Sequence, residues 1–219
     1  MKLKIFAQKH CFCHLKLYLC ANILIMNTGI QNIFNKNHGF LRAKDLTFRS
    51  DWYELNRLIE QGIVTKVKRG LYKTEGVSMA DQTLEIANII PNGIFCMFTA
   101  WNYYELTTHN SSEFHVAIPK GKKVTLPSYP PVKIYYWTEK VYQLGLTETI
   151  RGNTPVKMYD LERSVCDAVR FRNKIGMDIA TEVLKNYLKR KDRNLDKLTK
   201  YATQLKIDNV IRNFITVMI

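Results

Sequence analysis

The stretch that most constrains this chain is residues 39–76, GFLRAKDLTFRSDWYELNRLIEQGIVTKVKRGLYKTEG. Leu55, Leu58 and Ile59 recur there at helical spacing, and Trp52 extends the stripe. They predict a helix over residues 50–61 with Ser50 as its N-cap, because a serine hydroxyl accepts an orphan backbone N–H of the first turn. With about 100° between successive residues, Ser50, Tyr53 and Arg57 point away from the stripe. Gln61-Gly62 ends the helix, glycine supplying the left-handed turn. Residues 63–68 then alternate, Ile63, Thr65 and Val67 against Val64, Lys66 and Lys68, as a strand with two faces does. Arg69-Gly70 turns the chain and Leu71-Tyr72-Lys73 returns. Upstream, residues 30–36 and 42–46 predict two short helices, the first with Ile30, Ile33 and Phe34 on one side, and Phe48 is expected to plug the core before the third. Three helices and a cationic hairpin make a winged helix-turn-helix, which lays a helix in the major groove and its hairpin on the phosphates. The plainer alternative is a small helix-hairpin with a solvated basic turn.

The charge is placed rather than spread. Residues 1–75 hold 13 Lys/Arg against 5 Asp/Glu, residues 76–150 hold 5 against 6, and residues 151–219 hold 15 against 8. The net charge is +14 in 219 residues. Two basic ends around a neutral middle suit a polyanionic partner, though solubility alone also gives a basic chain. Five cysteines without regular spacing argue for a reducing, cytoplasmic location. No apolar run approaches the roughly 20 residues of a membrane span, so no membrane partner is expected. Residues 1–25, MKLKIFAQKHCFCHLKLYLCANILI, look unlike the rest. Lys16 and Asn22 interrupt their apolar run, and Cys11, Cys13 and His14 lack a fourth zinc ligand. The expectation is a spurious or disordered extension, with Met26 beginning the functional protein.

An α+β fold follows: a winged helix-turn-helix over residues 26–76, then a second domain over residues 77–219, mixed α/β to residue 158 and a helical bundle from 159. Ser78-x-x-Asp81 reads as a capping box opening a helix to about Ile90, with Ala80, Leu84, Ala87 and Ile90 inward. Residues 94–97 read as a buried strand, and Thr99 as the cap of a helix to Leu106. Residues 114–118, 132–137, 148–151 and 155–158 are strand candidates, the last two pairing. Asp160 caps a helix that turns Leu161, Val165, Ala168 and Val169 inward. Three further stripes follow: Met177, Ala180, Leu184, Tyr187 and Leu188; Leu195, Leu198, Ala202 and Leu205; Val210, Ile211, Phe214 and Ile215.

Enzyme signatures are missing: no phosphate loop, H-E-x-x-H, G-x-S-x-G or G-x-G-x-x-G, and no E-x-K. The dispersed histidines read as structural or solvated, so no catalytic residue, metal ligand or cofactor is expected. Asp160, Glu162, Arg163, Asp167 and Arg170 share one helix. The spacing of Arg163 and Asp167, and of Asp167 and Arg170, predicts surface ion pairs. Arg170, Arg172 and Lys174, and a second basic group at residues 189–193, fall at helix junctions, where cations also suit the helix dipole.

The ordered series IEQGIVTKVKRGLY, FTAWNYYELT, FHVAIPKG and VKMYDLERSVCDAVRFRNKIGMDIATEVLKNYLKR resembles AbiEi-type antitoxins of type IV toxin–antitoxin (abortive infection) systems, from about Gly29 onward. The resemblance implies a cytoplasmic repressor that binds its own operator in double-stranded DNA. It also implies a C-terminal domain that counters a nucleotidyltransferase-like toxin without requiring a stable complex. Carried over, Ser50, Tyr53 and Arg57 meet bases and Lys66, Lys68 and Arg69 meet phosphates, with Arg49 and Asn56 completing the DNA-binding set. Glu162, Arg163, Asp167, Arg170, Arg172 and Lys174 are the antitoxin-domain candidates. The turn Thr47-Phe48-Arg49 departs from the pattern in lacking the glycine often found there. The rival readings are a stand-alone winged-helix regulator with a ligand-sensing or dimerising C-terminal domain, and a DNA-targeted nuclease using Glu162 and Asp167.

Overall fold

The structure, a computed structural model, describes residues 28–74, 82–151 and 154–218. The expectations for residues 1–25 and for the Ser78–Asp81 capping box lie outside the described residues. The chain is mixed α and β with two sheets and divides into two compact units, residues 1–82 and 83–219.

In the first unit, α1 (Thr28–Lys36) leads into β1 (Phe40–Arg42), a single 3-10 turn (Ala43–Asp45), α2 (Arg49–Glu60), β2 (Val64–Lys68) and β3 (Leu71–Thr74). The three strands form an antiparallel sheet in the order β1-β3-β2. Its core is Ile30 and Phe34 of α1, Leu41, Leu55 and Leu58, then Ile63, Val64 and Tyr72. The helix expected over residues 42–46 is instead the end of β1 and a 3-10 turn. The reason is non-local: Leu41 pairs with Tyr72 and Arg42 with Leu71, and Ala43 N donates to Gly70 O at 2.9 Å. Ser50 is not the cap of α2. Phe48 holds that position, and its backbone N–H is accepted by the Asp51 carboxylate at 3.1 Å. Phe48 itself points outward, 68% exposed, rather than into the core. The other end of α2 closes as expected. Gly62 at φ +71° lets its N–H reach Ile59 O and the Ile63 N–H reach Leu58 O, which satisfies two terminal carbonyls. The two-faced alternation expected of residues 63–68 breaks at a bulge, where Lys66 pairs with Tyr72 but Lys68 with Leu71, leaving Val67 over.

The second unit starts with α3 (Gln82–Ile89), β4 (Ile94–Phe95), α4 (Met97–Tyr103), β5 (Phe114–Pro119), β6 (Val132–Trp137) and α5 (Glu139–Gln143). It continues with β7 (Leu146–Arg151), β8 (Thr154–Tyr159), α6 (Leu161–Ile175), α7 (Met177–Lys189), α8 (Leu195–Gln204) and α9 (Asp208–Met218). The sheet order is β6-β5-β4-β8-β7; β4 pairs parallel to β8 and β5 to β6, while the other two pairings are antiparallel. The expected pairing of residues 148–151 with 155–158 is therefore present, inside a longer hairpin. Thr99 lies within α4 rather than at its cap, and its hydroxyl accepts the His115 N–H at 2.8 Å. In α3 the inward side chains are Leu84, Ile86 and Ile89, with Ile90 just beyond, while Ala87 is only half-buried.

Asp160 does cap α6, accepting the Arg163 N–H at 2.9 Å. The first nine residues of α6 are all buried, so it is the spine on which α7, α8 and α4 pack. The expected stripes hold at their centres and fail at their starts. Ala180, Leu184, Tyr187, Leu198, Ala202 and Ile211 are buried, whereas Met177 and Leu195 are exposed at the first turns of their helices. Trp101 of α4 anchors to the spine by donating from Nε1 to Ser164 O at 2.8 Å.

One glycine is required by this packing. Gly145 has φ +74°, and a Cβ there would lie 2.5 Å from the Arg163 Cβ. Gly145→Ala therefore combines a left-handed strain of about 1–2 kcal/mol with a clash against the Arg163 Cβ and Cγ. The variant is expected to melt at a clearly lower temperature than wild type in a circular-dichroism thermal scan.

Candidate functional site

Two sets of side chains carry the sequence-based expectations, one in each unit. In the first unit, α2 turns Leu55 and Leu58 inward and leaves Arg49, Ser50, Tyr53, Asn56 and Arg57 exposed. All five DNA-binding candidates of this helix thus share its outward side. Two are already engaged. The Arg57 guanidinium donates to both carboxylate oxygens of Glu54, at 2.9 and 2.6 Å, and Arg49 lies 5.9 Å from the centre of the Tyr53 ring. Trp52, expected on the buried stripe, is 40% exposed; Leu55 and Leu58 are the buried residues of α2, with Ile59 packed against the same core.

The β2–β3 hairpin carries Lys66 and Arg69 exposed and Lys68 half-buried. Partial burial, and then the charge of Arg42 on β1, hold Lys68 below the usual lysine range. This hairpin therefore presents a packed cation next to freely hydrated ones. The arrangement can offer a polar, cationic helix face and a basic loop to a polyanion.

In the second unit, the pair expected on the surface is inside. Arg163 and Asp167 have fully buried side chains, with Nε to Oδ1 at 3.2 Å. Their i, i+4 spacing on α6 is right for a surface pair, but the helix is covered on that side by the sheet and by residues 141–144. Arg163 Nη1 donates to Val141 O at 2.9 Å and Leu144 O at 3.3 Å, and the guanidinium is sandwiched 4.7 Å from both the Trp137 and Tyr159 rings. Burial pushes the Asp167 carboxyl upward, against the pull of Arg163. Arg163 Nη2, Asp167 Oδ2 and Arg170 Nη1 are buried without a hydrogen-bond partner among the described residues. The second expected surface pair, Asp167 with Arg170, is not formed as a salt bridge. Arg170 stacks on Phe171 at 5.5 Å and only adds to the positive field at Asp167.

Glu162 is also buried. It accepts the Asn194 N–H at 3.2 Å and meets Lys197 Nζ at 3.2 Å, which lies 3.1 Å from Asp160 as well. Tyr201 donates to Asp160 at 2.9 Å, and burial, followed by that bond, pushes its phenol up to about 12. Asp160 and Glu162 therefore tie α6 to the start of α8. Of the six antitoxin-domain candidates, Lys174 is the one that is fully exposed; Arg172 is half-buried and donates to Val169 O. Among the described residues no group of three or more His, Cys, Asp or Glu is placed to hold a metal ion.

A feature that sequence reasoning missed lies on β5, between β6 and β4. His115 of β5 is 3% exposed; its Nδ1 meets the Tyr135 hydroxyl at 2.9 Å and its Nε2 the Ser111 hydroxyl at 3.0 Å. Burial, with a smaller contribution from Lys133, lowers its pKa from 6.5 to about 4. Ser111 also lines a cleft of about 290 Å³ with Thr83, Thr99, Asn102, Glu113 and Phe98, and Asn102 Oδ1 is buried there without a partner. The chain that follows α4, residues 104–108, is held by a ladder along α7. Glu182 accepts from the Thr107 hydroxyl at 2.7 Å and from the Thr108 N–H at 2.9 Å, Asn186 donates to Leu106 O at 3.0 Å, and Arg190 donates to Tyr104 O at 2.9 Å. No local sequence signal links residues 104–108 to residues 182–190; only the fold joins them.

Compared with known proteins, the chain matches no family model, and no curated protein matches it. No helix among the described residues is long and apolar enough to cross a membrane.

Removing Asp167 alone leaves a buried guanidinium without its carboxylate, so Asp167→Ala is expected to destabilise the second unit by about 3–5 kcal/mol, and adding Arg163→Met should recover much of the loss. Chemical denaturation of the two variants checks this. The pH dependence carries a second expectation. The folded pKa of His115 is lowered, so the unfolded chain takes up the proton first. The stabilisation is full above about pH 6.5 and is lost as the pH falls toward 4. Comparing melting temperatures across that range, His115→Gln should show a shallower decline than wild type.

Proposed function

We propose that the chain is a cytoplasmic DNA-binding antitoxin and transcriptional autorepressor. Its first unit is a winged helix-turn-helix that grips its own operator, and its second counters a nucleotidyltransferase-like toxin. One observation carries the DNA-binding half: α2 stands beside an antiparallel β1-β3-β2 sheet, with Arg49, Ser50, Tyr53, Asn56 and Arg57 all on its exposed side. Such a helix fits a major groove, and the basic hairpin suits the flanking phosphates. In this reading Ser50, Tyr53, Asn56 and Arg57 meet bases, while Arg49, Lys66, Lys68 and Arg69 position the backbone. Arg57 exchanges the two oxygens of Glu54 for the O6 and N7 acceptors of a guanine. The antitoxin half rests on the resemblance of residues 156–190. With Arg163 and Asp167 buried, a toxin or its substrate would meet Lys174 and the basic loop of residues 189–193 first.

A second reading has its own support. The cleft beside Ser111, with the unpartnered Asn102 Oδ1, suits a small hydrogen-bonding ligand, as a stand-alone regulator with a sensing C-terminal domain would need. Toxin rescue separates the two: co-expression restores growth of a toxin-producing cell only if the antitoxin reading holds.

Binding of the full chain to its upstream DNA and to a shuffled duplex, at two salt concentrations, tests the repressor half. The native duplex should be preferred, with affinity falling steeply as salt rises. Arg57→Ala should lower the preference at one base pair about tenfold or more, whereas Lys66→Ala or Arg69→Ala should weaken all duplexes alike and reduce the salt slope by about one. Equal weak binding to both duplexes would remove the repressor assignment.

A further inference from the structure

The exposed side of α2 carries an aromatic ring among its polar groups. Tyr53 is 64% exposed and sits at the middle of that side. With about 100° between successive residues, Asn56 and Arg49 fall on one flank of it, and Arg57 and Ser50 on the other. Arg49 lies over one face of the ring, 5.9 Å from its centroid. Residues 28–74 hold nine Lys/Arg against four Asp/Glu, a balance that suits a polyanionic partner better than another apolar protein face. Within a major groove the base edges display one apolar group, the 5-methyl of thymine.

We propose that Tyr53 is a specificity-determining residue that packs against the 5-methyl group of a thymine. Arg49 holds the ring while Arg57, one turn on, reads a guanine close by. This rests on the DNA-binding reading above and deepens it. One helical turn advances about 5.4 Å and one base pair about 3.4 Å, so the thymine and the guanine stand one or two base pairs apart. A 5-methylcytosine presents the same methyl at the same groove position and takes the place of the thymine in part.

The test begins by selecting duplexes from a random library with the full chain. Each thymine of the selected duplex is then replaced in turn by deoxyuridine, which lacks only the methyl. At one position the wild-type protein should bind the deoxyuridine duplex about fourfold more weakly, the worth of about one buried methyl group. Tyr53→Ala should bind the two duplexes equally, and Tyr53→Phe should keep the discrimination. Since the ring is exposed, both variants should melt with wild type; Tyr53→Gln replaces the alanine variant if that one does not fold. Equal binding of thymine and deoxyuridine duplexes at every position, or discrimination that survives loss of the ring, would overturn the proposal while leaving DNA binding intact. Enrichment of no sequence and capture of no duplex would instead overturn the DNA-binding reading beneath it.

Discussion

The guanidinium of Arg163, buried between the Trp137 and Tyr159 rings, is the group around which the second unit closes. A charge cannot leave water without other dipoles taking water's place. Here those come from three directions: a carboxylate one turn along α6, two carbonyls from residues 141 and 144, and two aromatic faces. The partners come from four segments, so satisfying one guanidinium fixes β6, α5, β8 and α6 together. Gly145 is part of the same arrangement, because only a residue without a side chain lets that loop approach the Arg163 stem. Arg163 Nη2 and Asp167 Oδ2 are buried there without a hydrogen-bond partner among the described residues.

What was legible in the sequence was mostly local. The Asp160 cap, the Gly62 turn and the centres of the helical stripes depend on neighbours within a turn or two, and the spacing of residues exposes them. The burial of Arg163 and Asp167 does not, because an i, i+4 pair reads the same whether its helix faces water or a sheet. The region after Phe40 failed for a related reason. Its residues accept a helix well enough, and only the pairing of Leu41 with Tyr72, 31 positions away, draws them into a strand. Phe48 followed the habit that large apolar residues go inside, and it stands outside. The His115 contacts with Tyr135 and Ser111 were illegible because two separate strands and a loop must meet before they exist.

The two units use charge in opposite ways. In the first, cations lie at the surface of a small apolar core, and the acidic groups near them act locally, Asp51 on a backbone N–H and Glu54 on Arg57. In the second, charges are drawn inward to join helices: Lys197 binds Asp160 and Glu162 at once, and Asp167 holds Arg163. Surface charge of the first kind contributes little to stability and stays within reach of a partner. Buried charge of the second kind is committed to the fold.

The ladder of Glu182, Asn186 and Arg190 on α7 has a bearing on how this protein tolerates change over generations. Its rungs are spaced four residues apart, so they stand on one side of the helix and engage a segment of irregular chain mainly through main-chain atoms. Main-chain atoms are the same whatever the side chain, so these rungs do not themselves select the residues at 104 and 106, which are held instead by the burial of Leu106 and the Tyr104 hydroxyl bond to Tyr159 O. Length is another matter. Inserting or deleting a single residue between 182 and 190 would turn the later rungs by about 100° and carry them away from their carbonyls. The ladder is thus indifferent to spelling and strict about spacing, and the strictness resides in a helix some eighty positions downstream.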